Sequence, residues 1–292
     1  MLKINKTKNF FIAEVGSNHL QSIKRCKKFI DVAKKSGFQA IKFQLFKIED
    51  LFHSSTIKKN KLYKIRNREL PKKFIPKLYK YAKQKKIYFG CSVFNMGDIP
   101  FLRKYVDFFK VASYELLWLK LIDKLSKTKK PVIISTGMSN FKEVNTVLKL
   151  LKKNKNKDVN ILRCTSNYPA KKEMVNLKSI VNLKKKIRQN YKFKNINIGY
   201  SDHSKLPGVI YRACNKYDAK IIELHLDLDG KGSEFGPGHC WLPLETAEII
   251  KNIQIGLEAD GDGNLQPKSS EKNERLWRAD PIDGLRPTKK IR

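Results

Sequence analysis

Ile196-Asn197-Ile198-Gly199-Tyr200-Ser201-Asp202-His203 and, further on, Ile221-Ile222-Glu223-Leu224-His225 carry the pattern that decides the fold. Each opens on a short apolar run and ends on polar and ionisable groups. That is the signature of a strand buried on both faces that delivers its last residues to a functional rim. The same unit recurs toward the amino terminus, at Phe10 to Val15, Ala40 to Phe43, Ile87 to Phe89, Phe108 to Val111, Val132 to Ile134 and Val159 to Leu162, which makes eight runs. Longer Lys-rich amphipathic segments separate them. In Ser22 to Lys35, for example, Ile23, Cys26, Phe29, Ile30 and Ala33 repeat at three and four residues while the lysines face the other way. Eight strand-then-helix units predict an α/β fold closed into a (β/α)8 TIM barrel rather than an open doubly wound sheet. No glycine-rich dinucleotide fingerprint follows the first run. The barrel is expected over residues 1–258. Residues 259–292, turn-rich from Ala259 to Gln266 and too short for an independent domain, are expected to form a C-terminal tail lying on the barrel or on a neighbouring subunit.

The chain has 292 residues and a formal charge of +35. Such a charge ordinarily points to nucleic acid. Here the excess is almost all lysine and is spread along the whole chain, with no Arg-rich stripe or nucleic-acid motif. We therefore expect a solvated surface that attracts anionic substrates in general, and no specific nucleic-acid partner. The five cysteines, Cys26, Cys91, Cys164, Cys214 and Cys240, form no C-x-x-C pair and suggest neither a disulfide framework nor a structural zinc site. A reducing, cytoplasmic setting fits them. No apolar stretch approaches a membrane span, and Glu14 interrupts the first apolar run too early for a signal peptide.

In a barrel of this kind the active site lies at the carboxyl ends of the strands. The residues there are Glu14 with Asn18 and His19, Lys42 and Gln44, Ser92, Lys110, Ser113 and Glu115, Ser135 and Thr136, Thr165, Ser166 and Tyr168, Ser201 and His203, and Glu223 and His225. Two inward lysines are costly unless an anion answers them, and ammonium groups beside hydroxyls suit phosphate and carboxylate. Two histidines at neighbouring strand ends can share one metal ion.

At these residues the sequence resembles the sialic acid synthase (N-acetylneuraminate synthase) family. The matching segments are Ile12 to His19, Ile41 to Gln44, Phe109 to Glu115, Ile134 to Met138, Cys164 to Pro169, Tyr200 to His203 and Glu223 to His225. They arrive in family order. The resemblance implies condensation of phosphoenolpyruvate with N-acetylmannosamine or a related amino sugar. It implies substrate contacts at Lys42, Gln44, Ser92, Lys110, Ser113, Ser135, Ser166, Tyr168 and Ser201. It also implies a divalent metal, usually manganese, on His203 and His225, with catalytic roles for Glu14 and Glu115 and a homodimer. Two departures fall on the sugar side. Gly238 stands where the family usually has a sugar-binding aspartate, and the chain ends without room for the family's small antifreeze-like domain, whose arginine Arg278 or Arg286 is expected to replace.

Two other readings compete. A Schiff-base aldolase on the same barrel would use Lys42 or Lys110 as nucleophile. A non-catalytic barrel would bind polyanions through its lysines. Several residues keep plain roles: His19 is a structural or a substrate-contacting residue, His53 a loop residue, and His239 either reaches the metal site or lines its loop. Cys91, Cys164 and Cys240 are expected to pack, as are Trp118 and Trp241.

Overall fold

The computed structural model describes Leu2, Ile4 and residues 7–292. All eight apolar runs form strands: β1 (Phe10–Glu14), β2 (Ala40–Leu45), β3 (Tyr88–Val93), β4 (Phe108–Val111), β5 (Val132–Ser135), β6 (Asp158–Cys164), β7 (Asn195–Asp202) and β8 (Ile221–His225). They pair in parallel in chain order, and β8 returns to β1, so the sheet closes as the (β/α)8 barrel that the periodicity predicts. Every strand is followed by a helix that leads to the next strand: α1 (Ile23–Lys35), α2 (Ile75–Gln84), α3 (Ile99–Leu102), α4 (Leu119–Ser126), α5 (Phe141–Lys153), α6 (Lys178–Asn190), α7 (Pro207–Asn215) and, after β8, α8 (Pro243–Ala259).

The helices start where local chemistry allows. Ser22 caps α1, its hydroxyl accepting from the Arg25 amide at 3.2 Å, and Cys26, Phe29, Ile30 and Ala33 are buried as the spacing predicts. Asn140 caps α5 reciprocally with Glu143. His53 caps the short helix Ser54–Lys59 with its Nδ1, a plain loop role. The long β2 to α2 connection holds this helix and another at Ile48–Leu51.

The interior explains why the site sits at one end. Side chains alternate along a strand, so every second residue enters the barrel. Phe10, Ile12, Ala40, Phe108, Ile133, Leu162 and Ile221 pack together as an apolar plug toward the amino-terminal ends. Gly90 makes room in it, since a Cβ there would come 2.2 Å from the Phe108 ring. Two residues further along the same columns stand Glu14, Lys42, Ser92, Lys110, Ser135, Cys164 and Glu223. The plug thus raises the polar residues to the carboxyl-terminal mouth and closes the barrel to water from below.

The chain divides into two compact units, residues 1–253 and 254–292, with the boundary inside α8. In the second unit a short helix spans Lys272–Leu276, and the Asp280 carboxylate accepts from the amides of Ile282 and Lys289. No helix among the described residues is long and apolar enough to cross a membrane. All five cysteines are free and buried.

Candidate active site

Two lysine centres occupy the mouth. Lys42 and Lys110 are each only 2% exposed. Lys42 is ion-paired with Glu14 and donates to the Ser92 hydroxyl at 2.9 Å, while Gln44 donates to the other oxygen of Glu14. Lys110 donates to Ser135 at 2.5 Å and to the Val111 carbonyl at 3.1 Å, with the Glu223 carboxylate 3.7 Å away. Glu223 in turn accepts from Ser201 at 3.0 Å. Strand register sets two of these pairs directly, since Glu14 sits beside Lys42 and Ser201 beside Glu223.

The two ammonium groups differ electrostatically. Burial pulls both down. At Lys42 the contact with Glu14 and the field of Glu223 outweigh burial and the pKa rises, whereas at Lys110 burial wins over the more distant Glu223 and the pKa falls. Burial would raise Glu223, but Lys110 and Lys42 hold it at about 2. Each buried lysine therefore has a buried carboxylate, Glu14 in contact with Lys42 and Glu223 at 3.7 Å from Lys110, to offset the cost of burying its charge.

A second cluster lies where β4, β5 and β6 end. The Gly137 amide donates to the Ser113 hydroxyl at 3.0 Å, and the buried Ser166 hydroxyl has no hydrogen-bond partner. Both hydroxyls crowd Gly137, where a Cβ would lie 2.1 Å from Ser166 Oγ and 2.8 Å from Ser113 Oγ. Two converging hydroxyls, one held by the Gly137 amide and one without a partner, can serve as donors to an anionic oxygen. Glu115 is close by, and its buried Oε2 has no partner. Burial raises its carboxyl to about 7 against the pull of Lys110.

The third cluster is made of imidazoles. The rings of His203 and His225 are 5.0 Å apart, His225 and His239 are 4.9 Å apart, and Tyr168 packs against His203 at 4.1 Å and His239 at 4.9 Å. His203 Nδ1 lies 2.8 Å from the Thr165 carbonyl, which makes Nδ1 the protonated nitrogen and leaves Nε2 as a donor of electrons. The Nδ1 atoms of His225 and His239 are buried without hydrogen-bond partners. Donor atoms of His225, Glu234, His239 and Cys240 all lie within 4.8 Å of one another. Such unpaired buried donors fit a divalent cation.

Glu14, Lys42, Gln44, Ser92, Lys110, Ser135 and Ser201 thus belong to the lysine centres, Ser113, Glu115 and Ser166 to the hydroxyl cluster, and Tyr168, His203 and His225 to the imidazoles. Tyr168 lies tilted against His203 and edge-on to His225 and His239. The sequence reading put Glu223 at a strand end without a role; its place two residues before His225 on the inward face of β8 was the available signal. Glu234, which no strand-end argument reaches, is the other addition. His19 Nδ1 accepts from the Gln21 amide at 3.0 Å, its Nε2 is buried without a hydrogen-bond partner, and burial lowers its pKa to about 4. Trp241 is buried and donates to Asp202 at 3.1 Å. Cys164 reaches beyond packing, its sulfur 3.6 Å from His203 Nδ1.

A profile of the NeuB family matches residues 29–264. The chain belongs to the NeuB family. It is 31% identical to the N,N'-diacetyllegionaminic acid synthase of Campylobacter jejuni, over 93% of this chain and 83% of that protein. It is 35% identical to a pseudaminic acid synthase of the same species, over 92% of this chain and 80% of that one. Among solved structures it resembles the N-acetylneuraminic acid synthetase of Leptospira borgpetersenii, crystallised with citrate. The TM-score is 0.77 and the identity 29%, over 91% of this chain and 90% of that chain. The two Campylobacter jejuni relatives are named synthases, and this chain is an enzyme of that transferase class on the same barrel.

Proposed function

We propose that the protein condenses phosphoenolpyruvate with an amino sugar of the N-acetylmannosamine type, or a related aldose, to give a sialic-acid-type nonulosonic acid and phosphate. The observation that carries this reading is the pair of buried lysines, each with its own hydroxyl and carboxylate partner, set beside an imidazole cluster in a NeuB barrel. Lys42, Lys110, Ser92, Ser135 and Ser201 supply charge and donors for the substrate's carboxylate and phosphate. Ser113, held by the Gly137 amide, and Ser166 supply hydroxyl donors at the phosphate end. Held there, the enol carbon is aimed at the open-chain aldehyde, so that the carbon–carbon bond forms in a fixed geometry. Glu115, whose carboxyl burial raises to about 7, is partly protonated near neutral pH and can give a proton to the oxygen that gains charge. Glu14, braced by Gln44 and Lys42, orients the sugar and the water that adds at the former enol carbon before phosphate leaves by carbon–oxygen cleavage. His203 and His225 would hold a divalent cation, with manganese as the ion that the resemblance implies. When bound it supplies Lewis-acid polarisation of the aldehyde.

The test is incubation with phosphoenolpyruvate, manganese and a panel of N-acetylated hexosamines and plain aldoses, reading phosphate release and product mass. Phosphate is expected only when cation and acceptor are both present. Absence of turnover with every acceptor, together with absence of phosphoenolpyruvate binding, refutes the reading. The proposal extends to a cytoplasmic homodimer, checked by sedimentation, and to an acceptor contact from Arg278 or Arg286. Arg278→Ala and Arg286→Ala test that contact: if neither raises the acceptor KM, the tail has no such part. One observation favours a second reading. The lowered pKa of Lys110 suits a Schiff-base nucleophile, and borohydride trapping with substrate would label only an aldolase.

A further inference from the structure

Glu234, His239 and Cys240 come from the loop between β8 and α8, which the departure at Gly238 marks as different from the family pattern. Their arrangement asks for a ligand. Glu234 Oε1 accepts from the Ser17 amide at 2.7 Å, and the Glu234 amide donates to Asn18 Oδ1 at 2.8 Å. The carboxylate fills the space over Gly16, where a Cβ would stand 2.2 Å from it and where φ is +53°. One oxygen is thus tied to the β1 loop. The other, Oε2, is 3.5 Å from His225 Nδ1.

That separation is long for a hydrogen bond, and His225 Nδ1 has no other partner. It does suit two ligands of one ion, since donors bonded at about 2.1 Å in a tetrahedron stand about 3.4 Å apart. His239 reaches the same place, its Nε2 3.7 Å from Cys240 Sγ, and its Nδ1 is buried without a partner. Cys240 Sγ lies 3.3 Å from the Glu234 carbonyl and 3.5 Å from Asn18 Nδ2, and it completes four donors within 4.8 Å. Asn18 serves both sides, fixing the backbone of Glu234 and touching the sulfur, which is how outer-shell groups orient metal ligands.

We infer that this chain binds its cation through His225, Glu234, His239 and Cys240, with His203 beside them, and that the set selects zinc, ferrous iron or cobalt over manganese. The choice of metal follows from the donors, because one sulfur, two imidazoles and a single carboxylate suit borderline ions better than the oxygen-preferring ones. The inference rests on the reading above that the imidazole cluster is a metal site. It adds three ligands and changes the preferred ion.

The test uses the full chain stripped with chelator, titrated with cobalt and separately with manganese in competition with a chelating dye. The expected result is cobalt binding at least about tenfold tighter than manganese, with a thiolate-to-cobalt charge-transfer band in the near ultraviolet. Cys240→Ser should remove the band. Glu234→Gln and His239→Gln should each weaken cobalt binding by about tenfold or more. Circular dichroism of each variant confirms that it is folded, and the nearly isosteric Glu234→Gln and Cys240→Ser keep the test independent of gross packing. Native protein that binds neither ion overturns this inference and the metal reading together. Native binding that Glu234→Gln and His239→Gln leave unchanged, without the band, overturns this ligand set alone. If Glu234→Gln also raises the acceptor KM in that case, the carboxylate belongs to the sugar.

Discussion

At the scale of single residues the site works by unequal treatment of like groups. Of the carboxyls that share the barrel mouth, Glu223 is held at about 2 while Glu115 is pushed to about 7, because burial dominates at Glu115 and two lysines outweigh it at Glu223. Stability must follow. As pH rises, the unfolded chain gives up the Glu115 proton near its ordinary value of 4.5, before the folded protein does, so stability falls between about pH 4.5 and 7. Glu115→Gln removes this loss. We expect the variant to match the native protein in acid and to exceed it by up to about 3 kcal/mol at pH 8, measured by urea unfolding at both pH values. The same substitution should flatten a decline in phosphoenolpyruvate affinity above about pH 7, read by fluorescence or calorimetric titration. Identical pH profiles for variant and native protein would show that Glu115 is not the group that titrates. The lysines, serines and histidines at the strand ends were legible from sequence because a barrel puts them all at one end. Their pKa ordering was not, since it depends on whether a carboxylate stands in contact, as Glu14 does with Lys42, or at 3.7 Å, as Glu223 does with Lys110.

At the scale of elements, glycines separate binding from folding. In the turn after β5, Gly137→Ala would push its methyl against two serine hydroxyls that can rotate away. The fold should survive with a Tm within a few degrees of native. The KM for phosphoenolpyruvate should rise about tenfold to a hundredfold, as expected for hydrogen bonds lost to a charged group. In β7, Gly199→Ala meets the Ile221 backbone carbonyl at 2.1 Å and Leu162 Cδ2 at 2.7 Å. A carbonyl in a strand has no such freedom, so this variant should lose about 3 kcal/mol in denaturant unfolding, with any loss of activity following from unfolding. Equal stability of the two variants would contradict the assignment of Gly137 to the site and Gly199 to the barrel wall. The strands were easy to find because burial on both faces leaves continuous apolar runs. The loop from Leu226 to Leu242 was not, since its partners Gly16, Ser17 and Asn18 lie more than two hundred residues earlier.

At the scale of the whole molecule, the charge of +35 has a kinetic consequence even without a nucleic-acid partner. A cationic surface attracts a trianionic substrate, and salt screens that attraction. The kcat/KM for phosphoenolpyruvate should therefore fall severalfold between about 20 and about 200 mM salt, while kcat stays nearly constant. A flat profile would mean that only the buried lysines matter. By itself the sequence determined the closed eight-stranded barrel and the end at which its inward lysines and histidines gather, because two-residue alternation along buried strands is a local property that neighbours in the chain express. Only the tertiary structure decided how Glu223 pairs with Lys110, which hydroxyls gather on Gly137, and that Glu234, His239 and Cys240 meet His225. Those contacts join residues on different strands and loops, and their distances come from barrel closure and register, which no stretch of chain contains.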